Sequence, residues 1–266
     1  TGKLAEFAPF ARVVHLDADA YEISKLRTAD IALPGDIAVG LGELAAAALD
    51  QPGNPAQHDW RQRCARNRQR HAARYDAPGQ DIYAPALLRR LSELAPDAIV
   101  SSDVGQHQMW VAQHCRFAHP RNHLTSGALG TMGFGLPAAM GAQFACPDRT
   151  VVLVNGDGGF MMNVQELATI ARCKLPVKIV LIDNSALGMV RQWQELFFAE
   201  RYSEIDLSDN PDFAALARVF GIPAHHISQR DEVEGALADL LAKPGQALMH
   251  VSIAIKAKAG TAVTPT

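Results

Sequence analysis

The chain has 266 residues, with 25 Lys+Arg against 28 Asp+Glu and a formal net charge of −3. Hydrophobic residues make up 48% and charged residues 20%, which excludes intrinsic disorder and a nucleic-acid binder built on bulk charge. No apolar run approaches the ~18 residues of a membrane-spanning helix, and no charged-then-apolar leader opens the chain, so a cytoplasmic protein is expected, with neither membrane nor nucleic acid as partner.

The chain begins at Thr1 and opens directly into the pattern of a folded interior, as a piece of a longer polypeptide would. Residues 11–16 read as a strand and residues 37–49, rich in Ala and Leu at helical spacing, as a helix. Asp17, Asp19, Pro34 and Gly35 punctuate the stretch between them. Residues 1–50 thus look like the tail end of an α/β unit, and residues 51–80 like a linker. Within that linker, residues 60–75 carry Arg61, Arg63, Arg66, Arg68, Arg70 and Arg74. In a slightly acidic chain this run is read as a solvated helix or connector rather than a nucleic-acid patch. Four cysteines, Cys64, Cys115, Cys146 and Cys173, lack CxxC spacing, so neither zinc nor a redox dithiol is expected.

From residue 82 the pattern alternates regularly. Helices are predicted at 84–94, 106–114, 163–173, 189–198, 212–220 and 232–241, with a glycine-rich stretch turning helical over 127–143. Strands are predicted at 98–102, 151–155, 178–183 and 247–253. The strands are continuous apolar runs separated by helices, which predicts an α/β fold: a doubly wound parallel sheet over residues 81–255, preceded by the remnant of a second α/β domain. Residues 256–266 read as a disordered tail. In such sheets ligands collect beyond the carboxyl ends of the strands.

The strand at 151–155 runs into Gly156-Asp157-Gly158-Gly159. Glycines permit a tight turn and close backbone approach, and the free amides of a following helix favour an anion such as phosphate. A carboxylate at Asp157 repels phosphate unless a divalent cation sits between them, and Mg²⁺ commonly bridges carboxylate to phosphate. Between Gly158 and Asp183 lie 24 residues. That is the length of one crossover, a helix of about 16 Å and a return strand of about 20 Å, which brings Asn184 beside Asp157. The amide oxygen of Asn184 and the backbone carbonyl of Ala186 complete a three-oxygen set from the protein. At the end of the strand 98–102, Gln106 and His107 stand where a phosphate would approach.

The GDG, the 24-residue interval and the dipeptide ending in Asn resemble the thiamine diphosphate-binding motif. With residues 125–141 (TSGALGTMGFGLPAAMG), 156–166 (GDGGFMMNVQE) and 183–198 (DNSALGMVRQWQELFF), the chain resembles the large catalytic subunit of the acetolactate synthase (acetohydroxyacid synthase) family, bacterial isozyme type. The family usually has Asn-Asn where this chain has Asp183-Asn184, and only the second position ligates metal there. The resemblance implies thiamine diphosphate and Mg²⁺ as cofactors, with Asp157, Asn184 and Ala186 on the metal. Gln106, His107, Gly156, Gly158, Gly159 and Gly188 would contact the cofactor, the Gly130 carbonyl would meet its 4′-amino group, and Met132 would press between its two rings. Met189, Val190 and Trp193 would meet substrate, Met189 also the cofactor.

The implied reaction is decarboxylation of pyruvate and transfer of the two-carbon unit to a second 2-keto acid, in branched-chain amino acid biosynthesis. The resemblance covers nearly all of this chain but about half of the family enzyme. The activating glutamate belongs to the absent N-terminal domain, so no catalytic residue is assigned here and the chain alone is expected to be inactive. FAD is implied for the full-length enzyme only, as are a homo-oligomer and a regulatory subunit. The alternatives are another thiamine diphosphate enzyme, of the pyruvate oxidase or glyoxylate carboligase type, and a truncated, non-catalytic interaction module. Trp193 and the surroundings of Met189 favour acetolactate synthase. A dinucleotide-binding domain would need a GxGxxG that residues 103–106 do not supply. His225 and His226 are adjacent, point apart and lack a third ligand, so they are read as structural or exposed, and Glu166 as surface or packing.

Overall fold

The computed structural model describes residues 3–49 and 55–255. The chain divides into two compact units, Thr1–Ala72 and Ala73–Thr266. The proposed tail at 256–266 lies outside the described residues.

In the first unit, β1 (Val14–Asp17) and β2 (Ile31–Pro34) pair in parallel, with Val14 opposite Ile31. Helix α1 (Ile37–Leu49) follows, its first turn capped by Asp36 Oδ1 accepting the Val39 N–H at 3.0 Å. Helix α2 (Pro55–Arg70) carries most of the arginine run and no buried residue, as a solvated helix should. The strand β2 escaped the sequence reading because four residues ending in proline give no usable period.

The second unit holds α3 (Ala84–Leu94), β3 (Ile99–Ser102), α4 (Gln106–His114), β4 (His123–Thr125), α5 (Gly135–Ala145) and β5 (Val151–Gly156). It continues with α6 (Asp157–Met162), α7 (Leu167–Cys173), β6 (Lys178–Asp183), α8 (Gly188–Phe197) and α9 (Phe213–Val219). It ends with β7 (Ala224–Ile227), α10 (Val233–Ala242) and β8 (Ala247–Ser252). Six strands form one all-parallel sheet in the order β4-β3-β5-β6-β8-β7. Successive residues of each strand face opposite layers. Val152, Val154, Val180, Ile182, Met249 and Val251 pack under α3, α4 and α10. Val151, Leu153, Ile179, Leu181 and Leu248 pack under α5, α6, α7 and α9. The mixed α/β, doubly wound sheet is therefore as expected, and burial on both faces explains the uninterrupted apolar strands.

Three local readings need correction. The helix expected over 163–173 begins at Asp157, breaks at Asn163, passes through a 3₁₀ turn and resumes as α7. Gly158 and Gly159 hid its start, because glycine is a poor helix former. The break has a tertiary cause: Asn163 Nδ2 donates to the Gly133 carbonyl at 2.6 Å. Edge strands β4 and β7 were not foreseen, one being three residues long and the other half histidine.

The strand order decides where a ligand can go. From β3 the chain moves outward to β4 and then returns to the other side as β5. The switch in direction falls between β3 and β5, and it is at such a point that an open α/β sheet leaves a crevice.

Candidate active site

A cavity of about 280 Å³ lies beyond the carboxyl ends of β3, β5 and β6. Its lining includes Gln106, His107, Gly130, Met132, Gly156, Asp157, Gly158, Gly159, Asn184, Ala186, Gly188, Met189 and Val190. These are the residues singled out in the sequence, with one exception. Trp193 lies a turn beyond Met189 on α8, outside this lining, 57% exposed and edge-on to Phe197 at 5.7 Å.

Asp157 opens α6 and is buried, its Oδ2 accepting from Asn210 Nδ2 at 3.1 Å. Burial, and next the charge of Asp183, push its carboxyl well above the ordinary range. Asp183 behaves oppositely. Burial pushes it up, but His250, the Ser185 amide and a hydrogen bond with Asp157 together more than offset that, and its carboxyl sits below the usual value. Both Asp183 oxygens are spoken for: Oδ2 meets His250 Nε2 at 2.8 Å and Oδ1 accepts the Ser185 N–H at 2.7 Å. The departure from Asn-Asn thus comes with a buried histidine partner on β8.

The turn after β6 puts Ser185 at φ +53°. Asn184 Oδ1 accepts the Ala186 N–H at 3.2 Å, and its Nδ2 donates to Gln106 Oε1 at 3.3 Å. The turn is stitched to the segment before Asn210 by an antiparallel bridge between Ala186 and Asp206. Leu187 N–H donates to the Ile205 carbonyl at 2.9 Å, and Leu207 N–H to the Ser185 carbonyl at 3.0 Å. One segment, residues 205–210, therefore braces both the Asn184 turn and Asp157.

Glycines keep the floor open. A Cβ on Gly188 would stand 2.2 Å from Gln106 Oε1, and one on Gly156 2.8 Å from the His107 ring. His107 is buried and its Nε2 has no hydrogen-bond partner within the protein. Burial pushes its imidazole down to about 4, so it is neutral near pH 7. Below the ordinary value near 6.5 the unfolded chain takes up a proton that the folded one refuses, so the contribution of His107 to stability is intact above 6.5 and is lost as pH falls toward 4. Replacing His107 by Gln should flatten the acid limb of the stability profile by a few kcal/mol. Denaturant melts of both proteins between pH 7 and 4 check this, and parallel acid limbs would contradict it.

Among the described residues, no group of three or more His, Cys, Asp and Glu is arranged to hold a metal ion. Asp157 brings a carboxylate and Asn184 an amide oxygen to the cavity lining, hard-oxygen donors of the kind a cation shared with a phosphate takes. His225 and His226 do not contribute. His226 Nε2 meets Ser252 Oγ at 2.8 Å and its ring lies 4.5 Å from that of His250. Four polar residues were missed in the sequence: Asp103 and Asn155 behind the cavity, His250 and Asn210 beside it. Asn155 and His250 are polar residues inside otherwise apolar strands, which is the signal that was available; Asp103 and Asn210 carried none.

Comparison with known proteins agrees with this geometry. Residues 103–251 match the family described as thiamine pyrophosphate enzyme, C-terminal TPP binding domain. The chain is 58% identical over 254 residues to the acetolactate synthase isozyme 2 large subunit of Escherichia coli (strain K12), covering 95% of this chain and 45% of that protein. It is 47% identical to the acetolactate synthase large subunit of Parasynechococcus marenigrum (strain WH8102), over 95% of this chain and 41% of that one. Against the isozyme 3 large subunit of E. coli identity is 42%, over 91% and 43%. The chain thus spans less than half the length of these curated relatives. With the switch-point cavity, the Asp157–Asn184 pair and a match over more than half its length, the chain belongs to the thiamine pyrophosphate-dependent enzymes, through their C-terminal cofactor-binding domain.

Proposed function

We propose that this chain is the C-terminal part of an acetolactate synthase large subunit and holds thiamine diphosphate and Mg²⁺ in the switch-point cavity. The observation that carries the reading is that Asp157 and Asn184, at the ends of two adjacent strands, line one cavity with a glycine floor. Three features fit the group. The donors are oxygens, as Mg²⁺ requires. The His107 Nε2 has no protein partner and is available to a phosphate oxygen. The glycines leave the volume that side chains would fill, a Cβ on Gly158 standing 2.7 Å from Leu187 Cδ2.

In this reading Asp157, Asn184 and the Ala186 carbonyl hold the cation, whose charge relieves the repulsion between Asp157 and both Asp183 and the diphosphate. Gln106, His107 and the amides of Gly156, Gly158, Gly159 and Gly188 face the diphosphate. Gly130 and Met132 face the rings. Met189, Val190 and Trp193 face the 2-keto acid substrates. When bound, the cofactor supplies the carbon nucleophile and electron sink for decarboxylating pyruvate and passing two carbons to a second 2-keto acid. The residues of this chain bind, orient and exclude water, and the proton-activating glutamate belongs to the part of the enzyme outside it. Residues 1–50 are then the end of a central domain that binds FAD in the whole enzyme, residues 51–80 a linker, and a second copy and a regulatory subunit are the partners. Two of the relatives named above are isozyme large subunits.

Calorimetric titration with thiamine diphosphate, with Mg²⁺ and with EDTA, tests the reading. Saturable binding that requires Mg²⁺, and is not reproduced by unphosphorylated thiamine, is expected. Binding unchanged by EDTA, or none at millimolar cofactor, would reject it. With pyruvate, Mg²⁺ and FAD added, the chain alone is expected to form no appreciable acetolactate.

A further inference from the structure

Asp103 follows β3 directly, is wholly buried and does not line the cavity. Its two carboxylate oxygens collect backbone N–H groups from two segments. Val104 donates at 2.5 Å, Gly133 at 3.0 Å to each oxygen and Gly135 at 3.3 Å. A buried carboxylate is costly unless its lone pairs are met in this way. The space is made by glycine: a Cβ on Gly135 would stand 2.9 Å from the Asp103 Cβ, and one on Gly159 3.0 Å from its carboxyl carbon. On the other side of the same loop the Gly133 carbonyl accepts from Asn163. Gly133 sits at φ +85°, where only glycine is unstrained.

The loop so clamped carries Gly130 and Met132 into the cavity, while the chain on from Asp103 carries Gln106 and His107. One buried side chain therefore joins the cavity's two walls. We infer that Asp103 is a positioning residue that sets the ring-facing wall, Gly130 and Met132, against the phosphate-facing wall without touching the ligand. This rests on the cofactor reading above. The phosphate-facing wall keeps an anchor of its own, the Asp103 backbone N–H donating to the Val154 carbonyl at 3.1 Å, which a side-chain change leaves in place. Ring recognition thus depends on the carboxylate more than diphosphate recognition does, whose wall also has its own backbone anchor.

The test is paired titration of the protein and its Asp103→Asn variant with Mg²⁺-pyrophosphate and Mg²⁺-thiamine diphosphate. In Asn, one oxygen becomes an NH₂ facing backbone N–H donors. Thiamine diphosphate affinity should fall about tenfold, the equivalent of one buried donor left unmet, and pyrophosphate affinity should stay within about twofold. Equal losses on both probes, or none on either, would overturn the inference. Should Asp103→Asn fail to fold, Asp103→Ser carries the same expectation, with faster hydrogen exchange at the Gly133 and Gly135 amides. A parent protein that binds pyrophosphate but gains nothing from the rings rejects the inference alone, and one that binds neither probe rejects the cofactor reading.

Discussion

Replacing Asp157 by Asn is expected to weaken Mg²⁺-dependent thiamine diphosphate binding by on the order of a hundredfold or more, while making the ligand-free protein more stable. The two effects have one origin. Asp157 is buried beside Asp183, and its carboxyl is held above the ordinary range by burial and by that neighbouring charge. At neutral pH the ligand-free fold bears the cost of an unfavourable carboxylate, and an isosteric amide removes it, a gain of about 1 kcal/mol or a melting temperature raised by roughly 2–4 °C. The amide oxygen can still accept from Asn210, so the local packing survives. On the proposed reading, what is lost is the anionic metal ligand. Outer-sphere partners of a metal already carry 10–100-fold in affinity as a general rule, and a direct anionic ligand carries at least the upper end of that. Opposite signs in the two measurements exclude misfolding as the cause. A variant that loads the cofactor as well as the parent would remove Asp157 from the metal.

The second large effect is expected at Gly188. Nothing in its backbone requires glycine, since it opens α8 without a positive φ. The constraint is space: an added methyl would lie 2.2 Å from Gln106 Oε1 and 2.5 Å from Asn184 Nδ2, which donates to that same oxygen. Gly188→Ala must part this pair and shift Gln106 and Asn184 together. Overpacking of this kind costs about 1–3 kcal/mol. The melting temperature should fall by several degrees, and cofactor affinity by tens of fold. Gly235→Ala in α10, where the methyl meets open space, is the control and should be neutral or slightly stabilising, as alanine is the better helix former. Affinity unchanged in Gly188→Ala would mean that Gln106 and Asn184 are not part of the binding surface.

Much of this molecule was legible in the residues. The apolar runs of β5 and β6 could only be strands covered on both faces, and α3 and α4 fall where their spacing puts them. Glycine and acidic residues cluster where those strands stop, and one crossover length separates Asp157 from Asn184, so the two walls of the cavity were readable from local pattern and chain length. The start of α6 was not, because its glycines disfavour the helix they begin, and β4 and β7 were too short or too polar to announce themselves.

The supports of the site belong to the tertiary structure. β8 lies beside β6, ahead of β7, and so puts His250 against Asp183, 67 residues away. The loop between β4 and α5 puts the Gly133 amide on Asp103, and the segment after α8 folds back so that Asn210 reaches Asp157. By itself the sequence determined the elements and the chemistry at their ends, because periodicity and spacing are properties of neighbouring residues. Which buried polar groups meet was decided by the order in which strands far apart in the chain pack, and that order follows from burying both faces of the sheet at once, which no local pattern encodes.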